Sequence, residues 1–188
     1  LLSFFERRNK MEKFIKEVIP YIIIIIVVVL IRSFIITPVE VDGASMENTL
    51  HDGELLLLSK ISYKVSDIKR FDIVVINKGN DKVVKRIIGL PGDKVEYIDN
   101  KLYINDEEVK DTYAKNATED FGIKDICMVK ESVEDCTYDT VPKGTYLVLG
   151  DNRLVSADSR ANGFIKEEDI VGKAVFRIWP LNKIGFIK

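Results

Sequence analysis

The chain has 188 residues, enough for one domain with small additions and too few for two large ones. Its 28 basic and 30 acidic residues leave a formal net charge of -2, which excludes nucleic acid as the main partner, because such binding needs an excess of Lys and Arg on one face. Hydrophobic content is ordinary at 46% but unevenly placed.

The first predicted element is the most apolar. Val18 to Ile36 reads VIPYIIIIIVVVLIRSFII, with Arg32 its one charge. A bilayer core is roughly 30 Å thick and takes about 20 apolar residues as a helix. A single buried strand seldom runs this long, so a transmembrane helix is expected, with Arg32 reaching toward the interface. Arg7, Arg8, Lys10, Lys13 and Lys16 precede the run, whereas Arg32, Glu40 and Asp42 are the nearest ionisable groups after it. Basic flanks stay on the cytoplasmic side, which predicts residues 1–17 inside and residues 37–188 outside the cell. No small-x-small cleavage pattern follows before Thr37, so the segment reads as an uncleaved anchor rather than a removable leader.

Beyond the anchor, short β-type runs take over: Leu55 to Ile61, Asp72 to Asn77, Lys82 to Ile88, Val95 to Ile98, Leu102 to Ile104, Thr145 to Leu149 and Ala174 to Ile178. Lys78-Gly79-Asn80, Leu90-Pro91-Gly92-Asp93 and Asn105-Asp106 supply turns between them. The expected fold is therefore a mainly β domain. Thr112 to Thr140 is polar, acidic and without clean periodicity, and reads as a cap inserted between two halves of the sheet structure. Cys127 and Cys136, the only cysteines, leave two readings open, a disulfide or two free thiols.

Elimination narrows the chemistry. His51 is the only histidine, it precedes the turn pair Asp52-Gly53, and no G-x-S-x-G elbow presents a serine to it. No H-E-x-x-H or Cys/His cluster offers a metal site, and no cofactor is implied. A hydrolase built on this chain takes a lysine or a carboxylate as base. In Val41-Asp-Gly-Ala-Ser-Met-Glu-Asn-Thr-Leu50, Gly43 permits a close substrate approach and Ser45 follows one small residue later. Strand alternation puts Lys85 on one face with Val83 and Ile87, where desolvation lowers a lysine pKa. Taken alone, an edge lysine that guards against aggregation is the simpler account of that pattern. The loop Leu149 to Arg160 is dense in Asp, Asn, Arg and Ser, a composition suited to fixing a buried polar site.

Together these stretches resemble the type I signal peptidase family. Ser45-Met46-x-x-Thr49-Leu50 resembles its nucleophile motif and Arg70-Phe-Asp-Ile-Val-Val75 the strand after it. Lys85-Arg-Ile-Ile-Gly-Leu-Pro-Gly-Asp93 is similar to the motif carrying the general base, and Gly150-Asp-Asn-Arg-x-x-Ser-x-Asp-Ser-Arg160 to the last box. The closing Gly172-Lys-Ala-Val-Phe-Arg-Ile-Trp-Pro180 also fits. The resemblance implies an antiparallel β catalytic domain in which Ser45 attacks and neutral Lys85 takes its proton. It further implies that Ser156 orients the lysine, that Asp151, Asn152, Arg153, Arg86, Asp158 and Arg160 hold the site together, and that Val41, Met46, Leu50 and Val84 line pockets for small side chains. The Ser45 backbone N–H supplies one oxyanion donor. Gly43 stands where some relatives carry a second donor, and Asn48 where the motif usually has proline. The implied partners are exported precursor proteins bearing signal peptides, cut after small-x-small sites, and the lipid bilayer. A self-cleaving repressor also uses a Ser/Lys pair, but it needs a DNA-binding domain and a soluble chain. A non-catalytic or narrow-client helper in pilus assembly or secretion is the remaining alternative.

Overall fold

The computed structural model describes residues 2–34, 36–79, 81–129 and 136–187. The chain divides into two compact units, Leu1–Thr37 and Pro38–Lys188. The first is dominated by one helix, α1 (Leu2–Phe34), with Pro20 inside it. Side chains are described from Lys13 to Val29 of this helix, and the part of the expected anchor from Leu30 to Ile36 lies outside them. Ile22 to Val29 are each at least 46% exposed, so consecutive apolar side chains face outward on every side of the helix. Among the described residues, no helix is long and apolar enough to cross a membrane.

The second unit is mainly antiparallel β. Its elements in chain order are β1 (Ile36–Glu40), β2 (Leu55–Ser59), α2 (Ser62–Val65), β3 (Ile73–Lys78), β4 (Asp81–Gly89), β5 (Val95–Ile98), β6 (Lys101–Ile104), β7 (Glu107–Val109) and β8 (Phe121–Gly122). There follow α3 (Ile123–Met128), β9 (Thr145–Leu149), α4 (Ser159–Asn162), β10 (Ile165–Lys166), β11 (Ile170–Trp179) and β12 (Gly185–Phe186). Among the described residues, one sheet runs β1-β2-β11-β3-β4-β9-β10 with β12 paired to β11, and a smaller sheet runs β7-β6-β5-β8.

Local chemistry explains the small sheet. Asp99 and Asn100 join β5 to β6, and Asn105 and Asp106 join β6 to β7; all four have positive φ, between 49 and 68°. Asn and Asp tolerate that region, and paired positive φ values match the right-handed twist of a two-residue hairpin. The Asn105-Asp106 turn was legible in the sequence, whereas the Asp99-Asn100 turn was not among the expected signals. The seven expected strands all occur, with ends shifted by a few residues and β11 extended back to Ile170. The short strands β1, β7, β8, β10 and β12 had no sequence signal of their own.

Alternation along β4 splits its side chains between two cores. Val84 joins Val39, Val41, Met46, Leu50, Leu56, Leu58 and Val75. Ile87 joins Val74, Ile76, Tyr146 and Val148, with Val83 packed against them. A third cluster links the two sheets through Ile88, Leu147 and Leu149 on one side and Val95, Tyr97 and Leu102 on the other.

Ile123 and Ile126 of α3 belong to that third cluster, and Thr118 is buried too. The segment Thr112 to Thr140 therefore contributes Thr118, Ile123 and Ile126 to the buried interior, while most of its other described residues are at least partly exposed. Its buried polar atoms are satisfied by partners far away in sequence, which polarity alone does not reveal. Cys127 and Cys136 form a disulfide, with Cα atoms 5.7 Å apart. Residues 130–135, within the expected cap, lie outside the described residues.

Ile126 is 1% exposed, so truncating it removes buried methyl groups and leaves a cavity. Ile126→Ala should lower the unfolding free energy by about 2–5 kcal/mol. A change below about 0.5 kcal/mol in chemical denaturation, the range of an ordinary surface substitution, would mean that this segment adds nothing to the core.

Candidate functional site: a serine beside a buried lysine

The segment between β1 and β2 folds into a tight turn that presents Ser45. Val41 N–H donates to the Glu54 carbonyl at 2.9 Å and Gly53 N–H to the Val41 carbonyl at 2.9 Å, closing the base of the loop. Gly43 has φ +82°, a conformation that glycine adopts freely, and its N–H donates to Asp52 Oδ1 at 2.7 Å. After Ser45 the chain makes a tight turn, closed by the Leu50 N–H donating to the Met46 carbonyl at 2.8 Å. Met46 and Leu50, four residues apart on this turn, both plug into the first core. Asn152 holds the other side: its backbone N–H donates to the Ser45 carbonyl at 3.0 Å, and its Nδ2 to the Ala44 carbonyl at 3.1 Å.

Lys85 arrives from β4, paired across the strand with Val74. Its Nζ donates to Ser45 Oγ at 2.7 Å and to its neighbour Val84's carbonyl at 3.0 Å. The residue is only 4% exposed. Burial brings its pKa down to about 8, because the desolvated ammonium is disfavoured; the Asp158 carboxylate opposes the shift, Lys78 adds to it and Asp151 opposes it. A serine hydroxyl hydrogen-bonded to an amine with such a pKa is poised for proton transfer near neutral pH.

Gly150 closes the site from the last loop. A methyl group there would overlap both the Ser45 carbonyl oxygen and the Ser156 hydroxyl, so only glycine fits. Ser156 Oγ is itself buried and, among the described residues, has no hydrogen-bond partner. The structure thus brings Ser156 to Gly150, next to the Ser45 carbonyl, without a hydrogen bond from its hydroxyl to Lys85.

Two carboxylates anchor the surroundings. Arg86, fully buried, grips Asp151 with two hydrogen bonds, Nε to Oδ1 at 2.8 Å and Nη2 to Oδ2 at 2.7 Å. Thr49 Oγ1 donates to the same Asp151 at 2.5 Å, which ties the end of the serine turn to that ion pair. Asp158 accepts from the Gly150 N–H at 3.0 Å and pairs with Arg160 through Nε and Nη2, both at 2.9 Å. Arg153 donates to the Gly150 carbonyl at 3.0 Å, to Tyr97 Oη at 2.9 Å and to Thr118 Oγ1 at 2.6 Å, and pairs with Asp111.

Val41, Met46, Leu50 and Val84 meet in one cluster beside the serine turn, and each is buried. Edge geometry adds a further feature. β4 pairs with β3 from Asp81 to Arg86, but its described pairing with β9 starts only at Arg86. The stretch Asp81 to Lys85 therefore keeps one unpaired edge within this sheet.

His51 is half exposed, and its Nδ1 lies 3.5 Å from Glu54 Oε1. Glu54 is buried and also meets Arg177 Nε at 2.8 Å and Lys183 Nζ at 3.3 Å, while Arg177 Nη2 donates to the Thr49 carbonyl at 2.7 Å. Among the described residues, no three His, Cys, Asp or Glu side chains gather as metal ligands. Sequence reasoning missed Glu54, Arg177, Asp111, Thr118 and Tyr113, whose ring lies 3.6 Å from the Arg86 guanidinium carbon. The pairs that bring them here, Glu54 with Arg177, Arg177 with Thr49, Asp111 and Thr118 with Arg153, and Tyr113 with Arg86, span 27 to 128 residues, so no local pattern marks them.

Comparison with known proteins agrees with this geometry. Residues 11–179 match the family model described as signal peptidase, peptidase S26. The chain is 39% identical to signal peptidase IB of Staphylococcus aureus strain MRSA252, over 91% of this chain and 94% of that protein. It is 38% identical to signal peptidase I of Streptococcus pneumoniae serotype 4, over 94% and 98% of the two chains. A crystal structure of a signal peptidase I from Enterococcus faecalis V583 is 38% identical, with a TM-score of 0.47, covering 57% of this chain and 97% of that one. A buried lysine on a serine, in a mainly β domain with this breadth of identity, has one reading: the chain belongs to the peptidase S26 family, the type I signal peptidases, which are serine endopeptidases.

Proposed function

We propose that Ser45 is the nucleophile and Lys85 the general base of a type I signal peptidase. The carrying observation is the 2.7 Å contact between Lys85 Nζ and Ser45 Oγ at a buried lysine. In the neutral state the lone pair of Lys85 Nζ accepts the Ser45 proton as Oγ forms a bond to the scissile carbonyl carbon. The resulting oxyanion is met by the Ser45 N–H. Collapse breaks the C–N bond, the Lys85 ammonium returns its proton to the departing amine, and an ester remains on Ser45. Lys85 then draws a proton from water as its oxygen attacks the ester; as the ester C–O bond breaks, the Lys85 ammonium returns that proton to Ser45 Oγ, and the acid product ionises to its carboxylate in solvent. Ser156 orients the lysine by turning its buried, unpartnered hydroxyl toward the amine. The ion pairs Arg86–Asp151 and Asp158–Arg160, with Asn152, hold the two catalytic side chains in register.

The substrates are exported precursors bearing signal peptides. The free edge at Asp81 to Lys85 suits an extended peptide added as one more strand, with main-chain hydrogen bonds giving affinity. Val41, Met46, Leu50 and Val84 form the apolar floor for small side chains at the first and third positions before the cut.

The anchor reading is part of this proposal. The exposed apolar side chains Ile22 to Val29 and the continuing apolar sequence to Ile36 support a membrane span with residues 37–188 outside the cell. Protease added to wall-stripped cells should digest the catalytic unit and spare the N-terminal tail; complete protection of the catalytic unit would reverse the topology.

The mechanism is tested on a precursor peptide with a small-x-small site. Ser45→Ala and Lys85→Met should each lower kcat by at least about 10⁴-fold, whereas His51→Ala should keep most activity. Wild-type kcat should rise with pH through about 8, because only the neutral amine accepts the proton. Stability carries the opposite signature. Lys85 is held below its ordinary pKa of 10.5, so its charged form costs about 3 kcal/mol below pH about 8, and that cost fades as pH approaches 10.5. Lys85→Met should therefore stabilise the fold at neutral pH and lose that advantage in alkali. An inactive His51→Ala beside an active Lys85→Met would overturn the mechanism.

A further inference from the structure

The backbone at Asn48 is unusual for a residue three positions after the catalytic serine. Its φ is +109°, in a range that residues other than glycine rarely enter. Proline, fixed near -65°, does not reach it. Strained backbone of this kind persists only where neighbouring structure holds it, and here the holding group is identifiable. Asn48 Nδ2 donates to the Tyr113 carbonyl at 3.1 Å. The adjacent Glu47 pairs with Lys115 Nζ at 2.5 Å.

Residues 111–118 form a strap that is itself tied down. Asp111 and Thr118 are held by Arg153, and the Tyr113 ring lies on the Arg86 guanidinium. Lys115 N–H donates to the Asp151 carbonyl at 2.7 Å, and Asn116 Nδ2 to Asn152 Oδ1 at 2.8 Å. Asn152 in turn holds the Ser45 carbonyl. The strap thus reaches the serine turn along two routes, through Asn152 and through Asn48. Met46 and Leu50 are plugged in the core on either side of Asn48, so a tie at Asn48 acts on the short chain that carries Ser45.

We infer that Asn48 is a positioning residue, a latch between the 111–118 strap and the turn that sets Ser45 against Lys85. The inference rests on the Ser45/Lys85 reading above. Asn48→Gly keeps the backbone conformation and deletes the latch; Asn48→Ala deletes the latch and disfavours the conformation.

The test uses the full chain in detergent micelles, a small-x-small precursor peptide, and active sites counted with a serine-acylating probe. Per titrated site, Asn48→Gly should lower kcat about fivefold, the worth of one ordinary hydrogen bond, with KM within about twofold. Asn48→Ala, which also strains the backbone at this position, should lower kcat at least as much. A loss that appears only as fewer titrated sites, with kcat per site unchanged, would overturn the latch and leave Asn48 a folding residue. If Asn48→Ala does not fold, Asn48→Gly decides alone: wild-type kcat per site refutes the inference. Ser45→Ala, run beside them, separates the two claims, since activity in that variant overturns the dyad itself, whereas an inactive Ser45→Ala with wild-type Asn48 variants overturns only the latch.

Discussion

The site depends on keeping an amine dry. A lysine accepts a proton only while neutral, and in water that form is scarce below pH about 10. Here β4 carries Lys85 into the interior beside Val83 and Ile87, and the lost hydration brings its pKa to about 8. Two nearby carboxylates, Asp158 and Asp151, pull the other way. Each is already gripped by an arginine, Arg160 and Arg86, so much of its attraction for the ammonium is spent elsewhere. The arginines therefore do more than brace the loops. Removing either would leave a buried carboxylate facing the lysine, favouring the charged amine.

Geometry is the second requirement, and it is met by holding the serine turn from several sides. Asn152 takes the carbonyls of Ala44 and Ser45, Met46 and Leu50 anchor the turn in the core, and Thr49 meets both Arg86 and Arg177. The buried Glu54 balances Arg177 with Lys183 from the C-terminal segment. The serine turn is thus joined to β11, far away in the chain, through one backbone carbonyl and one carboxylate. Gly150 allows the last loop to press directly on Ser45 and Ser156.

What was legible in the sequence was local. Alternation in β4 separates Val83, Lys85 and Ile87 from Val84 without reference to any other strand, and the Asn105-Asp106 turn announces its hairpin. The tie of the 111–118 strap to the serine turn was not legible, because it rests on pairs such as Asn48 with Tyr113 and Arg153 with Asp111, 65 and 42 residues apart. Polarity misled for the same reason: Thr118 and Asp111 look like surface residues until Arg153 is placed beside them. Strands of two residues, such as β8 and β10, exist by pairing with β5 and β9 and carry no periodicity. Ser156 was marked by its place in a motif, yet the buried, unpartnered state of its hydroxyl is visible only in three dimensions.

The central claim is that burial makes Lys85 a base near neutral pH, and a direct titration of its amine tests it. Full-chain Ser45→Ala protein, labelled at lysine Cε and Nζ, allows the resonance of Lys85 to be followed by NMR across pH 6 to 11, with Lys85→Met supplying the assignment. The account predicts a midpoint at about 8. A midpoint near the ordinary lysine value of 10.5 would show a solvated ammonium and contradict the account.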